Sequence, residues 1–128
     1  MSTVVVPSPL TVLSEEETLF RDSVHEFAQS EIAPLARAMD TAGRYEPAVL
    51  AKLFEMGLMG IDVPEAYGGA GGSFFQACLA VEELSRADAA VGVLVDVQNT
   101  LVNNAIDRNG TPEQKVKYLA RTSTDTVA

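Results

Sequence analysis

The chain has 128 residues, 47% of them hydrophobic, and 9 basic against 18 acidic side chains give a net charge of -9. That length suits one domain, able to bury roughly two thirds of its unfolded surface without help from disulfides or metals. The charge excludes nucleic acid and anionic membranes as partners, no apolar run reaches the roughly 20 residues of a membrane span, and a single cysteine, Cys78, excludes an internal disulfide and fits a reducing compartment.

Residues 1–13, MSTVVVPSPLTVL, contain Pro7 and Pro9 and read as an extended segment. They carry no Arg or Lys, so no targeting segment is visible and the terminus reads as mature or trimmed. Ser14 and Glu17 form a capping box, with Glu15, Glu16 and Glu17 at the positive end of a helix dipole. Phe20, Val24, Phe27, Ala28, Ile32 and Leu35 follow at helical spacing, and Pro34 predicts a kink or break. After the loop DTAGRYE, Pro47 suits the first turn of a second helix carrying Val49, Leu50, Leu53 and Phe54, which Gly57 closes. Residues 57–72, GLMGIDVPEAYGGAGG, hold six glycines and read as connecting backbone with room for one short helical turn.

Ser73 and Gln76 make a second capping box, for an apolar helix over about 74–86 that belongs at the centre of a bundle. Asp88 caps the next helix, which runs to about Asn109 and is closed by Gly110. Thr111-Pro112-Glu113-Gln114 repeats the start signal for a last short helix with Val116, Tyr118 and Leu119. No alternating β-branched run is long enough for a strand. The fold class is all-α, an orthogonal or up-down bundle of five to six helices over residues 14–121, with 122–128 as the start of a linker.

The stretch VDVQNTLVNN, residues 95–104, places uncharged polar side chains inside an apolar helical run. At roughly 100° per residue, Val91, Leu94, Val95, Leu101, Val102 and Ala105 cluster around Gln98. Asp96, Thr100, Asn103, Asn104 and Asp107 fall on the far, solvated side, and Asn99 sits at the boundary. A buried amide without partners costs roughly 1–3 kcal/mol. Gln98 therefore either bridges two helices as a satisfied core residue or marks the wall of a cavity.

The remaining candidates for chemistry are weak. Asp22 and His25 stand at i and i+3, but a di-iron bundle needs a second such pair and His25 is the only histidine, so no metal site is expected and His25 reads as solvated. Glu82 and Glu83 point about 100° apart on a helix and read as surface charge, with Glu82 reaching Arg86 at i+4. Cys78, among Ala77, Leu79 and Val81, reads as an inert core thiol. The run Gly68-Gly69-Ala70-Gly71-Gly72 precedes a helix start, but it lacks a phosphate-loop lysine and reads as a tight connection.

The order of motifs resembles the N-terminal α-helical domain of flavin-dependent acyl-CoA dehydrogenases. The carrying residues are SEEETLFRDSVHEFAQSEIAPLA from Ser14, LFEMGLMGIDVPEAYGGAGGSFFQACLAVEELSRADAAVGV from Leu53, and QNTLVNNAIDRNGTPEQKVKYLA from Gln98. The resemblance covers residues 13–121, and the QNTL segment and GLMGI…EAYGG spacing look closest to short/branched-chain members, with isovaleryl-type enzymes next.

This resemblance implies FAD as cofactor, an acyl-CoA substrate, electron-transfer flavoprotein as partner and a homo-oligomer when complete. It implies a mitochondrial matrix location in a eukaryote and a cytoplasmic one in a bacterium. Full-length members are roughly three times longer, with a middle β-domain that holds much of the flavin and a C-terminal helical domain that supplies the glutamate base. No catalytic residue is therefore expected in this chain, and no cofactor-binding residue can be assigned. In the family, the acyl chain lies in a slot bordered by helices of this domain, which makes Gln98, Asn99, Leu101 and Val102 the candidate pocket-lining residues. An amide at the slot floor would disfavour long straight chains, so replacing Gln98 with Leu would relax chain-length preference. The other class of reading is a non-catalytic helical module that associates with other subunits.

Overall fold

The computed structural model describes residues 4–128, so Met1, Ser2 and Thr3 of the expected extended segment lie outside the described residues. Every regular element among the described residues is helical. The bends that the sequence predicts are present, but the rods carry wider and tighter turns inside them. In the first rod, α1 (Glu15–Phe27) passes into a π-turn (Ala28–Ile32), a 3-10 turn (Ala33–Leu35) and then α2 (Ala36–Ala42). Pro34 has no N–H to continue the α-helical ladder, and the interruption sits around it. α3 spans Pro47–Glu55, α4 Phe74–Ala87, and α5 Ala89–Asp96. α5 opens into a second π-turn, Val97–Asn103, before α6 (Asn104–Asn109), and α7 (Pro112–Thr124) ends the chain's helices. Taken as continuous rods, 15–42, 47–55, 74–87, 89–109 and 112–124 make five.

The start signals hold. Capping boxes close at Ser14–Glu17, Ser73–Gln76 and Thr111–Gln114, and the Asp88 carboxylate accepts from the Ala90 N–H at 2.9 Å. Each satisfies helix N–H groups that would otherwise be unpaired. The short turn expected in the glycine-rich connection is Glu65–Tyr67. α7 runs on to Thr124 with Thr122 and Ser123 buried, further than the sequence suggests.

α4 is the central rod, packed between α1 and α5. Ala77, Ala80 and Leu84 of α4 meet Val24, Phe27 and Ile32 from the first rod and Val91 and Val95 from the fourth, with Leu53, Leu58 and Ile61 closing the core. None of the described helices is long and apolar enough to cross a membrane.

The α1–α4 contact corrects two readings. Glu83 is not surface charge: its side chain is only 6% exposed, and one carboxylate oxygen lies 2.8 Å from His25 Nδ1. His25, half-exposed, is therefore paired rather than simply solvated. Glu83 stands at i+3 from Ala80 and beside Leu84, so it shares the buried face of α4. Arg86 reaches Glu82 at 3.5 Å, as expected, and the second Glu83 oxygen at 3.9 Å.

This packing sets two stability tests. His25→Ala should lower the unfolding free energy by about 1–3 kcal/mol, since it strips a buried carboxylate of its nearest partner. Adding Glu83→Gln should then cost less than the two single changes together, and additive urea midpoints would contradict the pairing. Asp62 offers a pH test. Burial raises its carboxyl above the ordinary aspartate value; its own backbone N–H opposes this, Asp107 adds to it and Arg108 offsets it. A raised carboxyl favours the folded state when protonated, so its contribution is lost as pH rises from the ordinary value through the folded one. Asp62→Asn should thus raise the urea midpoint at neutral pH, with the gain shrinking in acid.

Candidate functional site

The second π-turn carries the residues of VDVQNTLVNN. Its i→i+5 bonding takes more residues per turn than an α-helix, so side chains five apart share a face. Gln98 and Asn103 are both 1% exposed and Asn99 is 0% exposed. A 100° wheel puts Asn103 on the wet side and Leu101 in the core. The structure reverses both: Asn103 is buried and Leu101 is 62% exposed. Ala105, also placed in the core by the wheel, is exposed, and Val102 is half-buried.

The three buried amides have separate duties. Asn99 donates to the Leu58 and Val95 carbonyls, both at 2.8 Å, and its Oδ1 accepts from the Ile61 N–H at 2.8 Å. Asn103 donates to the Met59 carbonyl at 2.8 Å. Together they clamp the connection after α3 onto the π-turn. Gln98 serves the other end of the chain. Its Nε2 donates to the Thr122 carbonyl at 2.7 Å and the Thr126 carbonyl at 2.8 Å, and its Oε1 accepts from the Ala128 N–H at 3.1 Å. The bridging reading of Gln98 is therefore the one its geometry supports, and none of its polar atoms is left for a cavity.

The glycine connection is tight for a stated reason. The N–H groups of Ala70, Gly71 and Gly72 donate to the carbonyls of Gly60, Val63 and Ile61 at 2.8, 2.9 and 2.7 Å. Gly68 and Gly71 hold φ of +83° and +67°, which favours glycine. A Cβ at Gly69 would collide with the Val63 backbone. With those donors spent, and Ser73 and Gln76 capping each other at the α4 start, the run is a tight connection.

Cys78 is exposed, not a core thiol. It lies in an apolar cleft of about 280 Å³ between α4 and the π-turn rod, bordered by Phe74, Ala77, Val81, Asp96 and Thr100. α4 is apolar on more than one face, and the sequence pattern does not tell which of these faces the bundle covers. Phe74, Val93 and Leu101, on these two rods, are all more than half exposed. Sequence reasoning does not single out Phe74, Val81 or Val93 as site residues; their signal is an apolar surplus beyond one helical stripe. No group of three metal-ligating side chains occurs among the described residues.

Among the described residues, two buried side-chain polar atoms lack partners, Asn103 Oδ1 and Ser123 Oγ. Ser123 borders a cleft of about 690 Å³ between α3, the glycine connection and the end of α7. That cleft carries Glu55 and Asp125 and no basic side chain, so the residues present do not fit a flavin pyrophosphate.

The family model for the acyl-CoA dehydrogenase N-terminal domain matches residues 14–125. A probable short/branched chain specific acyl-CoA dehydrogenase of Dictyostelium discoideum is 48% identical over 93% of this chain and 29% of its own length. The mitochondrial short/branched chain specific acyl-CoA dehydrogenase of Bos taurus is 42% identical over 92% of this chain and 27% of its own. The solved structure of butyryl-CoA dehydrogenase from Megasphaera elsdenii superposes with a TM-score of 0.80 at 31% identity, over 88% of this chain and 30% of that one. The chain thus spans less than a third of the length of the relatives it matches. It belongs to the acyl-CoA dehydrogenase family, as that family's N-terminal helical domain.

Proposed function

We propose that this chain forms one wall of the acyl slot in an FAD-dependent dehydrogenase that introduces an α,β double bond into short or branched-chain acyl-CoA. The observation that carries this reading is the two-sided π-turn: amides inward, Leu101 outward. Of the four candidate residues, exposed Leu101 and half-buried Val102 would be the ones to meet an acyl chain. Gln98 and Asn99 act from behind, fixing the rod on which Leu101 is mounted. Beside this rod, a cleft of about 280 Å³ lined by Phe74, Ala77, Cys78, Val81, Asp96 and Thr100, and not by Leu101 or Val102, is slightly smaller than typical ligand sites of roughly 300–1,000 Å³. A small apolar slot supports a short or branched acyl group.

When bound, FAD would supply the hydride acceptor. The cleft bordered by Ser123 does not fit its pyrophosphate, and this reading assigns the main flavin binding and the base to the length of the relatives that this chain does not span. The net charge of -9 likewise leaves the coenzyme A phosphates to other parts. Electron-transfer flavoprotein as the acceptor, a homo-oligomeric assembly, and a matrix or bacterial cytoplasmic location follow from the same reading. What this chain does is bind and select: its wall excludes water and limits chain length, with each methylene worth roughly 1–3 kcal/mol.

The test is a chimera in which residues 14–128 replace the matching segment of the Dictyostelium relative. It should oxidise short and branched acyl-CoA with a flavoprotein acceptor. Leu101→Ala in that chimera should shift kcat/KM toward longer chains by about tenfold, as one or two methylenes of space would. A folded, flavin-loaded chimera that oxidises no acyl-CoA would overturn the reading in favour of a non-catalytic helical module.

A further inference from the structure

The bonds made by Gln98 have a pattern that a space-filling core residue would not need. An α-helix leaves its last four carbonyls without intrahelical partners. In α7 one of these is the Thr122 carbonyl, and Gln98 Nε2 caps it at 2.7 Å from another rod. The same nitrogen also donates to the Thr126 carbonyl at 2.8 Å, while Oε1 accepts from the Ala128 N–H at 3.1 Å. The carbonyl of one residue and the N–H two residues on are the pair that a neighbouring β-strand engages across one rung of a ladder. A primary amide presents the same donor and acceptor as a peptide group.

We infer that Gln98 is a positioning residue: it serves as a single strand-like rung for residues 126–128 and so fixes the direction in which the backbone leaves α7. The rung is sequence-independent, because it reads only backbone atoms. It ties that backbone to the π-turn on which Leu101 is mounted, so the slot wall and the segment after α7 keep one register. Thr126 contributes on its own side, where its hydroxyl bonds the Asp125 carboxylate at 2.7 Å. The Arg121 carbonyl takes both the Asp125 and Thr126 N–H groups at 2.9 Å, so the turn out of the helix is held from two directions.

This rests on the dehydrogenase reading only for its consequence in catalysis; the rung itself is tested in the 128-residue chain. Hydrogen exchange of the unsubstituted chain should show the Ala128 amide protected by about tenfold or more over an unstructured peptide. Gln98→Leu fills the same volume without polar atoms and should return Ala128 to unprotected exchange, while Leu84 in α4 stays protected. An unprotected Ala128 amide in the unsubstituted chain, or protection that survives Gln98→Leu, overturns the inference. In the chimera, Gln98→Leu should lower kcat by about tenfold or more with KM changed by less than about threefold, because the slot persists and only its alignment is lost. Unchanged kcat in an active chimera rejects the positioning role, whereas a chimera inactive even before substitution rejects the dehydrogenase reading and leaves the exchange result standing.

Discussion

The three hydrogen bonds of the Asn99 side chain hold the rest of the arrangement in place. They join three separate pieces of backbone: the Val95 carbonyl on its own rod, and the Leu58 carbonyl and Ile61 N–H on the connection after α3. That connection has no helix or strand to satisfy its backbone, yet Leu58, Met59 and Ile61 are fully buried. Buried peptide groups must find partners, and Asn99 and Asn103 supply them. On the other side, the glycine run returns over the same connection and takes the carbonyls of Gly60, Ile61 and Val63. Glycines let it come that close: a Cβ at Gly72 would stand 2.9 Å from the Ile61 carbonyl oxygen. The connection is thus a filling held between the π-turn and a glycine strap.

The wide turn and the amides explain each other. A regular helix would spread Gln98, Asn99 and Asn103 around its circumference, and at least one amide would face solvent. The i→i+5 turn lets all three be buried, where each finds backbone partners. The same rotation expels Leu101, so an apolar side chain becomes surface as a consequence of a polar seam becoming core. A buried polar seam on the inner face and an exposed leucine on the outer face are in this way two results of one local change in helical pitch. The same rod exposes Val93, as α4 exposes Phe74. Gly92 permits the close approach of α4 and α5, because a Cβ there would run into the Ser85 side chain.

Rod positions and their starts are legible in the sequence because each rests on local chemistry. A cap needs only the residue and the N–H two or three positions on, and Ser14, Ser73, Asp88 and Thr111 each show theirs. The kink at Pro34 is equally local. The family likeness is carried by long contiguous stretches of sequence and needs no geometry. What helical spacing misses depends on partners far along the chain. Glu83 is buried because α1 brings His25 to it across 58 residues. Asn103 is buried because the Met59 carbonyl lies 44 residues away. Neither distance leaves a trace in helical spacing. A wheel also assumes a constant turn, and the π-turn breaks that assumption at the residues of interest. Spacing places Gln98 in the core, where it is, yet its partners, Thr122, Thr126 and Ala128, lie in a segment that reads as the start of a linker.

The central claim is that the amide seam, not apolar packing alone, holds the π-turn against the connection after α3. Asn99→Leu tests it most directly, because leucine keeps the branched outline of the side chain, though with bulkier methyls, and removes every bond at once. Each stranded buried backbone group costs about 1–3 kcal/mol, so loss of the Leu58 and Ile61 partners should lower unfolding free energy by about 3 kcal/mol or more. The Ile61 amide should lose its hydrogen-exchange protection in any folded remainder. A variant as stable as the parent, with Ile61 still protected, would contradict the account.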